Sequence, residues 1–108
     1  MLLLSTLLNL DEFMNKVENL FASKAINRGG IYLYSKEIAL KFIEECKKQD
    51  IPILGIDSFY LTDSTIQPSM DNNIDFSTHS FKKGVFDEAK QFLKQRGDDL
   101  YFEIVCAE

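Results

Sequence analysis

Residues 51–56, Ile51-Pro52-Ile53-Leu54-Gly55-Ile56, form a nearly continuous apolar run that carries on through Asp57-Ser58-Phe59-Tyr60-Leu61-Thr62. That pattern predicts a strand covered on both faces. Pro52 fits only at its start, where no ladder donor is missed. A strand of this kind needs neighbours, so the chain is expected to build a small sheet with this strand at its centre.

The flanking segments supply the neighbours. Leu10, Phe13, Met14, Val17, Leu20 and Phe21 recur at helical spacing, predicting a helix over 8–23 with Asn9 as cap and Asp11 and Glu12 in its first turn. Arg28-Gly29-Gly30 ends that segment, and 31–34 reads as a short strand. Ser35 is placed to cap a helix over 36–49, with Ile38, Phe42, Ile43 and Cys46 facing inward. Val85, Phe86, Ala89, Phe92 and Leu93 predict a helix over 85–96, with Gly97 at its C-terminal cap. In 100–106, Leu100, Phe102, Ile104 and Cys106 alternate against Tyr101, Glu103 and Val105, which predicts a closing strand. From Asp63 to Ser80 periodicity fails, apart from a short extra strand expected over 74–77. A connection this long in a small domain is often functional.

Strands alternating with helices favour βαβ crossovers. The expectation is one α/β domain spanning 1–108, a three- or four-stranded sheet packed by three helices. With 108 residues, nine Phe and four Tyr, core material is ample without a metal or disulfide. Cys46 and Cys106 therefore read as reduced core thiols. The apolar start, residues 1–10, has no basic flank or small-residue cleavage site and is too short to span a bilayer, which points to a cytoplasmic protein without a membrane partner.

The net charge of −5 is unevenly spread. Residues 1–50 balance, and the second half supplies the whole excess of acid. No basic residue stands between Lys48 and Lys82, yet Asp50, Asp57, Asp63, Asp71 and Asp75 do. Such a surface repels phosphate, so direct nucleic-acid binding is disfavoured, whereas a basic protein would be steered toward it.

Catalytic signatures are sparse. His79 is the single histidine and lies in a Ser- and Thr-rich stretch, where it reads as an exposed loop residue. One His and two distant Cys match no zinc spacing, and no cofactor motif is present. Gly29-Gly30 precedes a strand instead of following one, so it is a turn and not a phosphate-binding loop. Asp57 and Asp63 leave three readings open: a Mg²⁺ site for phosphoryl transfer, acids capping the loop's own amides, and an acidic contact surface.

The stretch Gly55-Ile56-Asp57-Ser58-Phe59-Tyr60-Leu61-Thr62, with Gln67-Pro68 and Ile74-Asp75-Phe76-Ser77 after it, resembles the immunity proteins of bacterial polymorphic-toxin and contact-dependent growth inhibition systems, particularly the immunity protein 40 family. The likeness runs from the Arg28-Gly29-Gly30 turn to Phe102-Glu103. It implies a non-enzymatic α/β protein that binds and blocks a toxin's C-terminal domain, frequently a basic nuclease, and it carries over no catalytic residue. On charge and loop length, the interface is expected at Asp57, Tyr60, Asp63, Gln67, Asp71, Asp75 and Phe76, with Phe81 as a further aromatic. The alternatives are a small Mg²⁺-dependent phosphoryl-transfer enzyme using Asp57 and Asp63, and a non-enzymatic adaptor.

Overall fold

Ser35 starts the longest helix as its sequence requires, its hydroxyl accepting from the Ile38 amide at 3.4 Å. The computed structural model describes residues 16–78 and 84–107. In chain order these form α1 (Lys16–Phe21), a 3-10 turn (Ala22–Lys24), β1 (Ile26–Arg28), β2 (Ile31–Leu33), α2 (Lys36–Gln49), β3 (Ile53–Leu61), β4 (Ile66–Pro68), β5 (Ile74–Asp75), α3 (Val85–Lys94) and β6 (Leu100–Cys106). The part of the first expected helix before Lys16, with the Asn9 cap, lies outside the described residues, as do His79 and Phe81.

Helix α2 ends at Asp50, whose left-handed φ of 56° lets its amide reach the Cys46 and Lys47 carbonyls. Ala39, Phe42, Ile43 and Cys46 form its buried stripe. Phe42 packs against the rings of Phe21 and Tyr34, with centroids 5.4 and 5.2 Å away. Helix α3 adds Val85, Ala89, Phe92 and Leu93 to the same core. Each of the larger of these side chains, Val, Ile, Leu or Phe, contributes about 1.5–3 kcal/mol on burial. Gly97 is not the cap expected of it, because α3 stops at Gln95 in right-handed conformation.

Strand β3 is central, as its apolar run demands. β6 lies along one side of it, with Ile53 opposite Cys106, Asp57 opposite Glu103 and Tyr60 opposite Leu100. β4 and β5 share the other side, one beyond the other. Every one of these pairs is antiparallel, which corrects the expectation of parallel βαβ neighbours. The reason lies in 62–77. After β3 the chain turns back along it as β4 and β5, so α3 sets out from the opposite end and delivers β6 reversed. A bridge between Tyr34 and Phe102 then sets β2 on the far side of β6. β2 and β3 thus run the same way across α2, with β6 between them.

The hairpin of β1 and β2 was not foreseen. Gly29 and Gly30 form its two-residue loop with φ of 60° and 89°, the doubly positive turn that matches strand twist and that glycine enters without strain.

The aperiodic stretch is an edge strand interrupted by an excursion. β4 and β5 are out of register with one another across 69–73. There the Ser58 amide finds no strand carbonyl, and the Asn73 side chain accepts from it at 2.9 Å, while the Ser58 carbonyl accepts from Ser69 N–H at 2.8 Å. Side-chain substitution for a ladder bond leaves no periodic signal in the sequence. Asn73→Ala is expected to destabilise the fold by about 1–3 kcal/mol, the cost of an unmet amide. Urea unfolding measures that loss, and faster exchange of the Ser58 amide locates it.

Candidate interaction face

Register divides the sheet into two faces. Ile56, Leu100, Phe102 and Ile104 turn toward the helices and are buried. Gly55, Asp57 and Phe59 of β3 turn the other way, together with their partners Val105, Glu103 and Tyr101 of β6. Asp75, opposite Gly55, joins them. No helix covers this second face among the described residues.

The hairpin closes part of it. Arg28 Nη1 donates to the Thr62 carbonyl at 2.9 Å, so β1 and β2 lean over β6 toward the end of β3. Leu33 and Phe59 are buried there, apart from the main cluster. Coverage of β3 on both faces is therefore real at Phe59 but not around Asp57. The apolar run further upstream has another cause: an irregularity between Ile53 and Gly55 resets the alternation of the strand.

What stays open is a dent of about 350 Å³ lined by Leu54, Gly55, Asp57, Ile74, Asp75, Ser77 and Val105. Gly55 makes it possible, since a Cβ there would sit 3.0 Å from the Ile74 carbonyl oxygen. Val105 is 43% exposed beside it. Asp75 Oδ1 accepts from Ser77 N–H at 2.8 Å, which fixes that carboxylate at the rim. Asp57 faces Glu103 directly across the strands, and like charges so placed destabilise a sheet. Burial, and after it the neighbouring Asp57 carboxylate, raises the Glu103 carboxyl pKa from its ordinary value.

The seven residues expected at the interface do not form one surface. Asp57 and Asp75 share the open face. Tyr60 and Gln67 are opposite one another and turn to the helix side, although Tyr60 is 40% exposed at the end of its strand. Asp63 and Asp71 are exposed in the β3–β4 turn and in the excursion. Phe76 is corrected outright: it is fully buried in the main core, where the bond from its amide to the Leu54 carbonyl places it, so it cannot be a contact aromatic. Nor is the acidic stretch free of cations in space, because Arg28 reaches its beginning from the hairpin.

Glu103, Gly55 and Val105 were missed. The alternation of 100–106 already separates Glu103 and Val105 from the core-facing positions, but only register brings them to Asp57 and Gly55.

Asp57 and Asp63 are not brought together, since four residues of extended strand, about 13 Å, separate Asp57 from the turn that holds Asp63. Among the described residues no group of three His, Cys, Asp or Glu is placed to hold a metal ion, and no helix is long and apolar enough to cross a membrane. Neither the protein-family models nor the curated proteins compared with the chain match it.

Because the folded state raises the affinity of Glu103 for its proton, its contribution to stability is greatest at acid pH and is lost as pH rises through its folded-state pKa. Glu103→Gln is expected to raise the thermal midpoint at pH 7 by about 1–3 °C, a gain kept small by solvent screening, and to leave it unchanged near pH 3.5. Paired melts at the two pH values check the sign.

Proposed function

We propose that this chain is a non-catalytic immunity protein that neutralises a toxin domain in the bacterial cytoplasm, most simply a basic nuclease, by covering it with the acidic open face of the sheet. The observation that carries this reading is the dent at Gly55. Two carboxylates, Asp57 and Asp75, stand on it, Glu103 lies opposite Asp57, and among the described residues no Lys or Arg lines it.

An arginine or lysine of a partner is the group this arrangement suits. Its aliphatic stem can lie along Leu54, Ile74 and Val105 while its charged head meets the carboxylates. A cation placed there also relieves the repulsion between Asp57 and Glu103, so part of the binding energy comes from strain that the free protein carries. Asp63 and Asp71, exposed at the rim, add a field that speeds encounter more than it tightens the complex. The resemblance in residues 55–62, 67–68 and 74–77 points to the same class of protein.

Asp57→Lys separates this role from a structural one. It places opposite charges across the strands, so the fold is expected to hold or gain a few tenths of a kcal/mol. Association with the proposed basic toxin domain is expected to slow about tenfold at low salt, with the difference shrinking as salt is added. Growth rescue from that domain should fall in parallel. Stopped-flow association and a co-expression growth assay read the two effects, and unchanged association by a well-folded Asp57→Lys would place the interface elsewhere.

A further inference from the structure

The two cysteines are sixty positions apart in the chain and adjacent in the fold. Cys46 lies in the last turn of α2 with no exposure, and Cys106 is the half-buried final residue of β6. The segment following α2 brings them together. The Ile51 amide donates to the Cys46 carbonyl at 2.9 Å, and two residues later Ile53 stands opposite Cys106. The Ala107 amide then donates to the Pro52 carbonyl at 2.9 Å, which ties down the backbone just past Cys106. Cys106 packs against the same core cluster that contains Cys46.

We propose that Cys46 and Cys106 are an oxidation site, a thiol pair that hydrogen peroxide converts to a disulfide joining the end of α2 to the end of β6. This inference does not depend on any partner of the open face. Their roles follow from exposure. Cys106 is the less buried of the two, so it is the one that meets the oxidant. Cys46 is sealed in the core, and its neighbour Cys106 together with burial pushes its thiol up, so it keeps its proton and acts second.

The chemistry balances without another reagent. The Cys106 thiolate attacks one peroxide oxygen, the O–O bond breaks, and the departing hydroxide takes up a proton as water. This leaves a sulfenic acid on Cys106. Cys46 then gives up its proton and attacks the Cys106 sulfur. The S–S bond forms, the S–O bond breaks, and the hydroxyl leaves as a second water. Two thiols and one peroxide become one disulfide and two waters. The helix end that carries Cys46 and the strand end that carries Cys106 are held side by side through Ile51 and Ile53, so the resolving sulfur sits on the neighbouring segment.

The staple would close a long stretch of chain, from α2 through β3 and α3 to β6, and such closures stabilise chiefly by restricting the unfolded chain. It would also fix the end of the strand that carries Val105 and Glu103.

The test treats the reduced full chain with hydrogen peroxide and follows intact mass, then maps the peptides. The expected product has lost two hydrogens, contains Cys46 linked to Cys106 within one chain, returns to the starting mass with dithiothreitol, and melts about 10 °C higher than the reduced form. In Cys46→Ala the sulfenic acid on Cys106 should persist long enough to be trapped by dimedone. Should that variant fail to fold, Cys106→Ser serves instead: it should leave Cys46 unoxidised under the same treatment. The proposal is overturned if the native chain accumulates sulfenic or sulfinic acid on Cys106 with Cys46 still free. It is overturned equally if the only disulfide links two chains, or if the oxidised form melts lower.

Discussion

The pairing of β6 with β3 is the constraint on which the rest of the molecule depends. It is the longest ladder in the sheet, and it joins the last strand of the chain to the central one. It separates β2 from β3, reaches the hairpin through the Tyr34–Phe102 bridge, and completes the core with Leu100, Phe102 and Ile104. The same register sets Glu103 opposite Asp57, Val105 opposite Gly55, and Cys106 where Cys46 can meet it. A slip of one residue would turn Phe102 outward and Glu103 into the core, at a cost no small domain could carry.

One face of the sheet is therefore optimised for burial and the other is not. Behind the helices, the fully buried side chains among the described residues are apolar apart from Ser58. On the open side the protein keeps two carboxylates directly opposed and an exposed valine beside a dent that glycine hollows out. None of these helps the isolated chain to fold. The opposed carboxylates are a cost carried on an accessible patch, and a cationic side chain is the chemical complement of that patch.

Periodicity and caps made the helices and long strands legible in the sequence. Ser35, the stripe from Ile38 to Cys46, the stripe from Val85 to Leu93 and the alternation of 100–106 each specify one local structure, and each forms. What failed to show was everything decided between distant segments. Antiparallel pairing follows from β4 and β5 reversing the chain before α3; the strand expected over 74–77 forms as β5, but β4 and its continuity with β5 were obscured because Asn73 completes by a side chain what a strand would complete by backbone. The apolar run of 51–62 suggested uniform double coverage, yet its causes are local: a reset of alternation near Leu54 and a hairpin leaning over Phe59. Phe76 looked like a contact aromatic because it follows an acid in an aperiodic stretch, and only the fold turns its ring inward. The acids were visible, but their division between two faces and two turns was not, since sequence spacing says nothing about register.

The register itself can be measured. The Ser58 amide and carbonyl both bond on the β4–β5 side, and those of Phe102 bond to Tyr34, so Ser58 and Phe102 form a pair without mutual backbone bonds, the kind with the closest α-carbons. Cross-strand Hα–Hα nuclear Overhauser contacts in labelled protein are predicted between Ser58 and Phe102 and between Ile56 and Ile104. Contacts displaced by one residue, such as Ser58 with Glu103, would mean that the acidic face and the thiol pair do not exist as described.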